Sequence, residues 1–306
     1  MIDKKLNLWG IDMGGTKIEG AVLKSPSDPE VLFRYRLPTE SDKGYEHVMG
    51  QIEKVVLRME EEMGYRPERL GIGTPGTLDP LTRTMKNCNS VVLNGKPLKK
   101  DLEQILSIEL QMANDANCFA LAEANMGIAR EKFPDAEVVF GVIMGTGVGG
   151  GVVVRSKVIN GLQGIGGEWG HNFLHQSGGP CYCGKTGCVE TVLSGPALER
   201  YYKGESGAEK NLKEIYELHM AGKDAIAGKT MKRLVEFFGL ALSVVVNILD
   251  PQVIVIGGGV GNIDLIYTEG VKELGKHVFN TRLETPVLKP KLGDSAGVFG
   301  AAFLTQ

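Results

Sequence analysis

Residues 10–23 of this chain have the sequence GIDMGGTKIEGAVL, and residues 141–154, with the sequence GVIMGTGVGGGVVV, align with them without a gap. Each segment predicts a β-strand, a glycine-rich turn and a second β-strand, because apolar runs flank the glycines. A chance resemblance between two glycine-rich hairpins is the alternative. The segments lie too far apart for a solenoid repeat. We therefore expect a duplicated α/β unit, in which two domains each open on such a hairpin.

The remaining sequence alternates predicted strands and helices. Apolar residues at helical spacing predict one helix around residues 48–63 and a long one over residues 231–249, and an alanine-rich helix should follow the capping residues at 114–117. Further strands are predicted at 31–37, 70–73, 138–144 and 253–256. We expect an N-terminal domain over residues 1–115, completed by a C-terminal helix within 297–306, and a second domain over residues 116–296.

Composition excludes several classes of protein. Lys and Arg total 34 against 37 Asp and Glu, so the net charge of −3 argues against a basic nucleic-acid-binding face. No apolar leader starts the chain, and its longest apolar stretch, near residues 240–249, is too short to span a membrane. Five cysteines, three of them crowded into residues 181–188, do not form a secreted disulfide framework. These features predict a cytoplasmic protein without nucleic-acid or membrane partners.

Two kinds of nucleotide motif occur as pattern matches only. Residues 179–186 (GPCYCGKT) fit the P-loop expression, but they lack the preceding strand and following helix that a P-loop requires. Residues 71–76 and 145–150 fit G-x-G-x-x-G without the strand–turn–helix unit and distant acidic residue of a dinucleotide site. We therefore expect neither a P-loop nor dinucleotide binding.

Three other glycine turns, at residues 12–17, 145–149 and 257–260, each follow an apolar strand. Any one of them alone is more typical of a plain hairpin. Together they favour a nucleotide-phosphate site, because glycine lets backbone N–H groups converge on phosphate oxygens and threonine adds a hydroxyl. The carboxylate at the first turn suits Mg²⁺, held through water. The predicted ATP and Mg²⁺ residues are Asp12, Gly14, Gly15, Thr16, Lys17, Gly145, Thr146, Gly147, Gly257, Gly258 and Gly259.

His171, Cys181, Cys183 and Cys188 form the pattern H-x9-C-x-C-x4-C in a turn-rich segment. Three thiolates and one imidazole are the ligands of a closed, structural Zn²⁺ site. The alternative is three ordinary cysteines near a histidine, and the C-x-C spacing is tighter than usual. We predict a zinc-binding loop at residues 171–190. Cys88 and Cys118 lie outside it and are predicted to be packing residues.

Several polar residues form a second candidate set. Each could be a helix cap or a surface residue by itself, but carboxylates and amides that converge are what a polyhydroxylated substrate needs. Two of the carboxylates flank the zinc segment, and one Asn-Asp pair lies at the predicted domain junction. The set is Asn89, Asn114, Asp115, Glu168, His171 and Glu190.

These motifs together resemble the ROK family of bacterial sugar kinases and repressors. The residues that carry the resemblance are DMGGTK at 12–17, GTPG at 73–76, NDAN at 114–117, GGEWGH at 166–171 and CYCGKTGCVE at 181–190. The resemblance implies the two-domain actin-like ATPase fold (a duplicated ribonuclease H-like fold), a zinc site and ATP-dependent phosphorylation of a hexose. Residues 86–97 are most similar to the fructokinase branch. N-acetylglucosamine kinases are similar over the same length, and glucokinase is the third alternative.

The resemblance also implies roles for individual residues. Asp115 is the expected general base for a sugar 6-hydroxyl, and Gly76 joins the polar set in the sugar site. The hexose is expected to bind between the domains, which close on it. A helix-turn-helix domain, as in the repressors of the family, finds no room before the first strand, and a catalytically dead sensor is expected to lack Asp115. We also expect a homodimer.

Overall fold

Strands and helices alternate along the protein, whose computed structural model describes residues 6–306. This alternation confirms the predicted α/β class. In chain order the strands are β1 (Leu8–Met13), β2 (Lys17–Leu23), β3 (Val31–Pro38), β4 (Arg69–Thr74), β5 (Thr77–Leu78), β6 (Met85–Lys86), β7 (Glu109–Asn114), β8 (Val138–Met144), β9 (Val148–Val154), β10 (Lys157–Val158), β11 (Val253–Gly257) and β12 (Val287–Leu288). The helices are α1 (Tyr45–Met63), α2 (Leu98–Leu106), α3 (Asp115–Asn125), α4 (Ile128–Lys132), α5 (Val189–Leu193), α6 (Gly195–Ser206), α7 (Leu212–Met220), α8 (Ala225–Leu249), α9 (Glu269–Gly275) and α10 (Ala296–Phe303).

The first sheet has five strands in the order β3-β2-β1-β4-β7. β1 and β2 form the predicted antiparallel hairpin around the first glycine turn, and β3 extends it. β1, β4 and β7 run parallel, with Asp12 opposite Gly73 and Thr74 opposite Asn114. The carboxyl ends of parallel strands meet at one edge of a sheet, which is where α/β proteins bind ligands. Asp12, Thr74 and Asn114 therefore share one edge.

The second sheet repeats this design in the order β10-β9-β8-β11-β12. β8, the second glycine turn and β9 correspond residue for residue to β1, the first turn and β2, as the internal alignment predicts. β11 runs parallel to β8, with Gly257 opposite Ile143. The turn after β8 and the glycines after β11 therefore lie at the same edge of the second sheet.

The backbone of helix α10 packs closely against the first sheet and against α3. A Cβ atom at Gly71 would lie 1.7 Å from the carbonyl oxygen of Ala301, and one at Gly300 would lie 1.7 Å from the carbonyl oxygen of Cys118. Backbones approach this closely only where glycine leaves out the side chain. The C-terminal helix therefore belongs to the core of the first sheet.

Internal contacts divide the chain into two compact units. The first unit comprises the residues up to Pro134, Gly151–Gly167 and Lys291–Gln306, and the second comprises Asp135–Gly150 and Glu168–Pro290. Residues 116–134 and 151–167 fall in the first unit because α3 packs on α10 and Gly151 lies against Ala116. The domain division 1–115 with 297–306, and 116–296, stays a prediction, and its residues 1–5 lie outside the described part of the chain.

The helix patterns of the sequence correspond closely to the observed helices. The buried face of α1 includes Val48, Ile52, Val55 and Met59, as the helical spacing predicts. Over residues 6–306, no helix is both long enough and apolar enough to cross a membrane.

Candidate active site

Asp12 lies near the carboxyl end of β1 in crowded surroundings. A Cβ atom at Gly297 would lie 2.7 Å from its Oδ2 atom. Burial raises the pKa of Asp12 to about 6, and repulsion from Asp115 and Glu19 adds to this effect. A divalent cation relieves such repulsion, and carboxylate oxygens are ligands that Mg²⁺ accepts. The chemistry of this position therefore fits the predicted Mg²⁺ site.

A cluster of cations surrounds Glu19, which is fully buried beside Asp12. The Nη2 atom of Arg34 lies 2.6 Å from Glu19 Oε1, and Nε of Arg36 lies 2.9 Å from Oε2. Nζ of Lys17 lies 3.6 Å from Oε2. Lys17 and Arg36 also attract Asp12 and oppose the rise in its pKa. Glu19 thus holds positive charge next to the first glycine turn, a role that the sequence analysis did not assign to it.

The Asn114–Asp115 pair lies where β7 ends and α3 begins. Asn114 Oδ1 accepts the N–H of Asn117 at 2.8 Å and caps the helix, which confirms the predicted cap. Asp115 Oδ1 accepts the N–H of Ala116 at 2.8 Å. The Asp115 side chain is open to solvent on one side while protein crowds the others, so desolvation raises the pKa of its carboxyl against the lowering effect of backbone N–H groups. A base that is solvent-accessible and has a raised pKa suits removal of a hydroxyl proton.

The first glycine turn, residues 14–17, is held by backbone bonds and by Thr39. The N–H of Gly14 donates to the carbonyl of Lys17 at 2.9 Å. Thr39 donates its hydroxyl to the carbonyl of Gly14 at 2.7 Å and its N–H to the carbonyl of Thr16 at 3.0 Å. Gly15 and Thr16 are exposed at the tip. The turn is therefore fixed at its base and open where a phosphate would bind.

Gly76 and Asn89 are joined by the packing of their segments. A Cβ atom at Gly76 would lie 2.4 Å from Cys88 Sγ, so the two segments touch only because residue 76 is glycine. The N–H of Asn89 donates to the carbonyl of Pro75 at 3.1 Å, and the Asn89 side chain is exposed. Gly76 therefore acts on the position of Asn89, and a direct sugar contact by either residue stays a prediction.

The four predicted metal ligands come together in the second unit. Their ligand atoms lie within 4.8 Å of one another. His171 Nδ1 lies 3.6 Å from Cys181 Sγ, and Cys183 Sγ lies 3.6 Å from Cys188 Sγ. Tetrahedral Zn²⁺ with ordinary bond lengths sets about 3.6 Å between N and S ligands and about 3.8 Å between two S ligands. The observed separations therefore fit a zinc ion bound through His171 Nδ1 and three thiolates.

Tyr182 supports the histidine of this cluster. His171 Nε2 lies 2.9 Å from the Tyr182 hydroxyl, and the two rings meet edge to face. When Nδ1 binds the metal, Nε2 carries the proton and donates to that hydroxyl, which fixes the ring orientation. Both ring nitrogens of His171 are then engaged. Its predicted contribution to the sugar site would accordingly come through its backbone segment.

Glu168 and Glu190 lie at opposite ends of the metal loop. Glu168 is half-buried directly before a short helical turn that contains His171. Glu190 is half-buried in the first turn of α5, two residues after Cys188, and its Oε2 atom accepts the N–H of Val148 at 2.9 Å. The predicted sugar contacts of both carboxylates stay predictions.

A cavity of about 940 Å³ opens beside the second glycine turn, within the second unit. Gly145, Thr146 and Gly259 line one end of it. Gly258 adopts φ +85°, and a Cβ atom there would lie 2.3 Å from the carbonyl oxygen of Met144, so this turn requires glycine. A pocket of this size with backbone N–H groups at one end suits a nucleotide. The turns at 145–147 and 257–259 are thus brought together, as the sequence analysis expects.

The other walls of this cavity were missed in the sequence analysis. They come from the starts of α6 and α7 and from the segment after β11. Two capping signals mark the helix starts: Ser194 before a proline-containing first turn, and a capping box between Asn211 and Glu214. The additional lining residues are Gly195, Pro196, Glu199, Asn211, Leu212, Lys213, Tyr216, Glu217, Val260, Asn262 and Ile263.

Known proteins are similar to the chain over nearly its whole length. A model of the ROK family matches residues 8–306. An N-acetyl-D-glucosamine kinase of Vibrio vulnificus (strain YJ016) is 35% identical over 306 residues, and the match covers 97% of this chain and 98% of that protein. The ROK hexokinase structure from Thermus thermophilus is 32% identical with a TM-score of 0.86, and 97% of each chain is covered. A Streptomyces griseus ROK glucokinase in complex with glucose and AMPPNP is 28% identical with a TM-score of 0.76, and 97% of this chain and 98% of that chain are covered.

Proposed function

Because the chain belongs to the ROK family, we propose that its substrate is N-acetylglucosamine, which it phosphorylates at the 6-hydroxyl. The coarser statement holds without the proposal: the chain is an ATP-dependent hexose kinase with the predicted actin-like ATPase fold. The choice of sugar rests on the Vibrio vulnificus relative, an N-acetyl-D-glucosamine kinase aligned over 97% of this chain. The fructose preference predicted from residues 86–97 has no counterpart in the relatives described above and stays unconfirmed.

The observation that supports the chemistry best is the close pair of carboxylates Asp12 and Asp115 at one sheet edge. Asp115 is solvent-accessible and has a raised pKa, so it is the base that accepts the 6-hydroxyl proton. The sugar oxygen then forms its bond to the γ-phosphorus as the bond to ADP breaks. General-base help of this kind is worth about 10²–10⁴-fold in rate.

The rest of the catalytic effect comes from positioning and from charge. Asp12 would hold a Mg²⁺ ion, which would neutralise charge at the phosphates. Arg36 and Lys17 add positive charge next to the first glycine turn. The cavity lined by Thr146, Tyr216 and Ile263 is assigned to the nucleoside part of ATP. Within each unit these groups are assigned to the donor, while Asp115 acts on the acceptor.

Zinc has a structural role in this proposal. His171 and the three cysteines hold the loop that ends at Glu190, and closed sites with four protein ligands leave no open position for substrate. Glu168 lies just before this loop and Glu190 at its end, and their carboxylates are assigned to sugar hydroxyls. Small displacements of positioning groups are costly, so loss of zinc is expected to weaken sugar binding.

A coupled ADP-release assay tests the choice of sugar. N-acetylglucosamine, N-acetylmannosamine, glucose, mannose and fructose are compared by kcat/KM, with Asp115→Asn as the control for a contaminating kinase. We expect N-acetylglucosamine to exceed glucose, mannose and fructose by at least about tenfold, because a site built to pair with an acetamido group rejects sugars that lack it. A tenfold preference for fructose or glucose would overturn the proposal and leave the reaction class intact.

A further inference from the structure

The second glycine turn, Gly145–Val148, is held on one side by helix α5 and on the other by the first residue of α6. Glu190 Oε2 accepts the N–H of Val148 at 2.9 Å, and the N–H of Gly195 donates to the carbonyl of Gly145 at 2.9 Å. α5 begins directly after Cys188, a ligand of the candidate metal site. The segment from α5 to the start of α6 thus connects the metal loop to both ends of the turn, with every contact inside the second unit.

The residues just before the metal loop also touch the strand that leaves this turn. A Cβ atom at Gly170, the residue before His171, would lie 1.9 Å from the carbonyl oxygen of Val148. Trp169 Nε1 donates to the carbonyl of Gly149 at 3.2 Å. Residues 148–149 are therefore contacted by the segment just before the metal loop, and Val148 and Gly145 by the end of the loop and the segment that follows it.

Glu190 also packs directly against the turn. A Cβ atom at Gly147 would lie 2.6 Å from Glu190 Oε2, so the carboxylate reaches the turn only because residue 147 is glycine. The N–H of Gly145 donates to the carbonyl of Gly147 at 2.9 Å, while that of Val148 donates to Glu190. Thr146 and Gly147 are left as the residues of the turn whose N–H groups take no part in these bonds. The two bonds thus present the tip of the turn to the cavity.

A carboxylate beside a phosphate-binding turn repels phosphate. Its position there therefore calls for a role other than direct phosphate binding. We propose that Glu190 is a positioning residue for the nucleotide: it ties the Gly145–Val148 turn to the metal loop, so that loss of the metal weakens nucleotide binding even when no sugar is present. This inference rests on the proposed assignment of the turn to ATP. Only Oε2 bonds to Val148, and the Oε1 atom remains for the predicted sugar contact.

Nucleotide affinity in the absence of sugar tests the proposal, because a residue that binds only sugar has no effect there. The dissociation constant of AMPPNP is measured by calorimetry for the wild type, Glu190→Ala and Glu190→Gln, with the exposed Glu236→Ala as control. We expect Glu190→Ala to weaken binding roughly tenfold or more, since a hydrogen bond to a charged group is lost. Glu190→Gln keeps an acceptor oxygen and should stay within about threefold of the wild type. Wild-type affinity in Glu190→Ala would overturn the proposal.

Zinc removal supplies a second measurement that needs no variant. The wild type treated with a chelator, with its zinc content measured, is expected to lose about as much AMPPNP affinity as Glu190→Ala, and the same treatment of Glu190→Ala should add little. Unchanged affinity in zinc-free wild type would overturn the proposal even if Glu190→Ala does not fold. If untreated wild type binds AMPPNP and phosphorylates sugar normally, such a failure leaves the proposed function standing. If it does neither, the proposed function itself fails.

Discussion

Replacing Asp12 by asparagine is expected to stabilise the protein while it impairs the enzyme. The pKa of Asp12 rises from 3.8 to about 6 on folding. Because the folded-state value is the higher one, the charged form costs stability above pH 6, and this cost falls as the pH drops through 6 towards 4. At 1.36 kcal/mol per pKa unit, the cost is about 3 kcal/mol at pH 8 and roughly half of that at pH 5. Asparagine has nearly the same shape and no charge, so Asp12→Asn removes the cost.

Urea unfolding at pH 8 and at pH 5, without Mg²⁺ or nucleotide, measures this difference. We expect Asp12→Asn to raise the free energy of unfolding by about 3 kcal/mol at pH 8 and by about half as much at pH 5. The exposed Asp135→Asn is the matched control and should change little at either pH. An Asp12→Asn protein that is no more stable than the wild type at pH 8, or whose advantage does not shrink at pH 5, would refute the electrostatic argument.

Three further predictions concern the base, the metal loop and the C-terminal helix. Asp115→Asn should lower kcat by about 10²–10⁴-fold in the ADP-release assay, with an unchanged circular dichroism spectrum because the amide oxygen still accepts the N–H of Ala116; near-wild-type turnover would remove Asp115 from the role of base. Tyr182→Phe should weaken zinc binding about 10–100-fold in a chelator competition, since His171 Nε2 loses its partner, and equal affinity would show that the hydroxyl does not support the ligand. Gly300→Ala should unfold or strongly destabilise the protein, because the new Cβ atom would lie 1.7 Å from the Cys118 carbonyl oxygen. In the control Gly50→Ala, in α1, the new Cβ atom meets nothing within 4 Å, and the free energy of unfolding should rise by about 0.5–1 kcal/mol. Equal effects of the two substitutions in thermal or urea unfolding would contradict the packing argument.

Several features could be predicted from the sequence because they depend on residues that are close together in the chain. The alignment of residues 10–23 with 141–154 predicts the two corresponding hairpins, because strand and turn preferences depend on neighbouring residues. The Asn114 cap on α3 depends on a side chain three residues from its partner. The four candidate metal ligands lie within 18 residues of one another, so residue types at short spacing predict the cluster that the structure brings together.

The features that the sequence did not predict depend on contacts between residues that are far apart in the chain. The cavity beside Thr146 has walls from α6 and α7, about 50–70 residues later in the chain, and no local pattern connects them to the turn. Glu19 resembles an ordinary outward-facing strand residue until β3 brings Arg34 and Arg36 against it. The choice among hexoses depends on the shape of the space around the sugar, and residues 86–97 alone were a weak guide to it.

Residue types at short spacing, or a family pattern that covers the whole chain, were enough to predict the two hairpins, helices α1 and α8, the candidate metal cluster and the reaction class. The charges and contacts between residues that are far apart in the chain depend on the tertiary structure. The pKa of Asp12 rises because folding buries it beside Asp115 and Glu19. Asp115 is about 100 residues later in the chain, and Glu19 lies on the neighbouring strand β2. The bond from Val148 to Glu190 joins residues 42 positions apart. Burial and proximity of this kind exist only after the chain has packed, so no local pattern contains them.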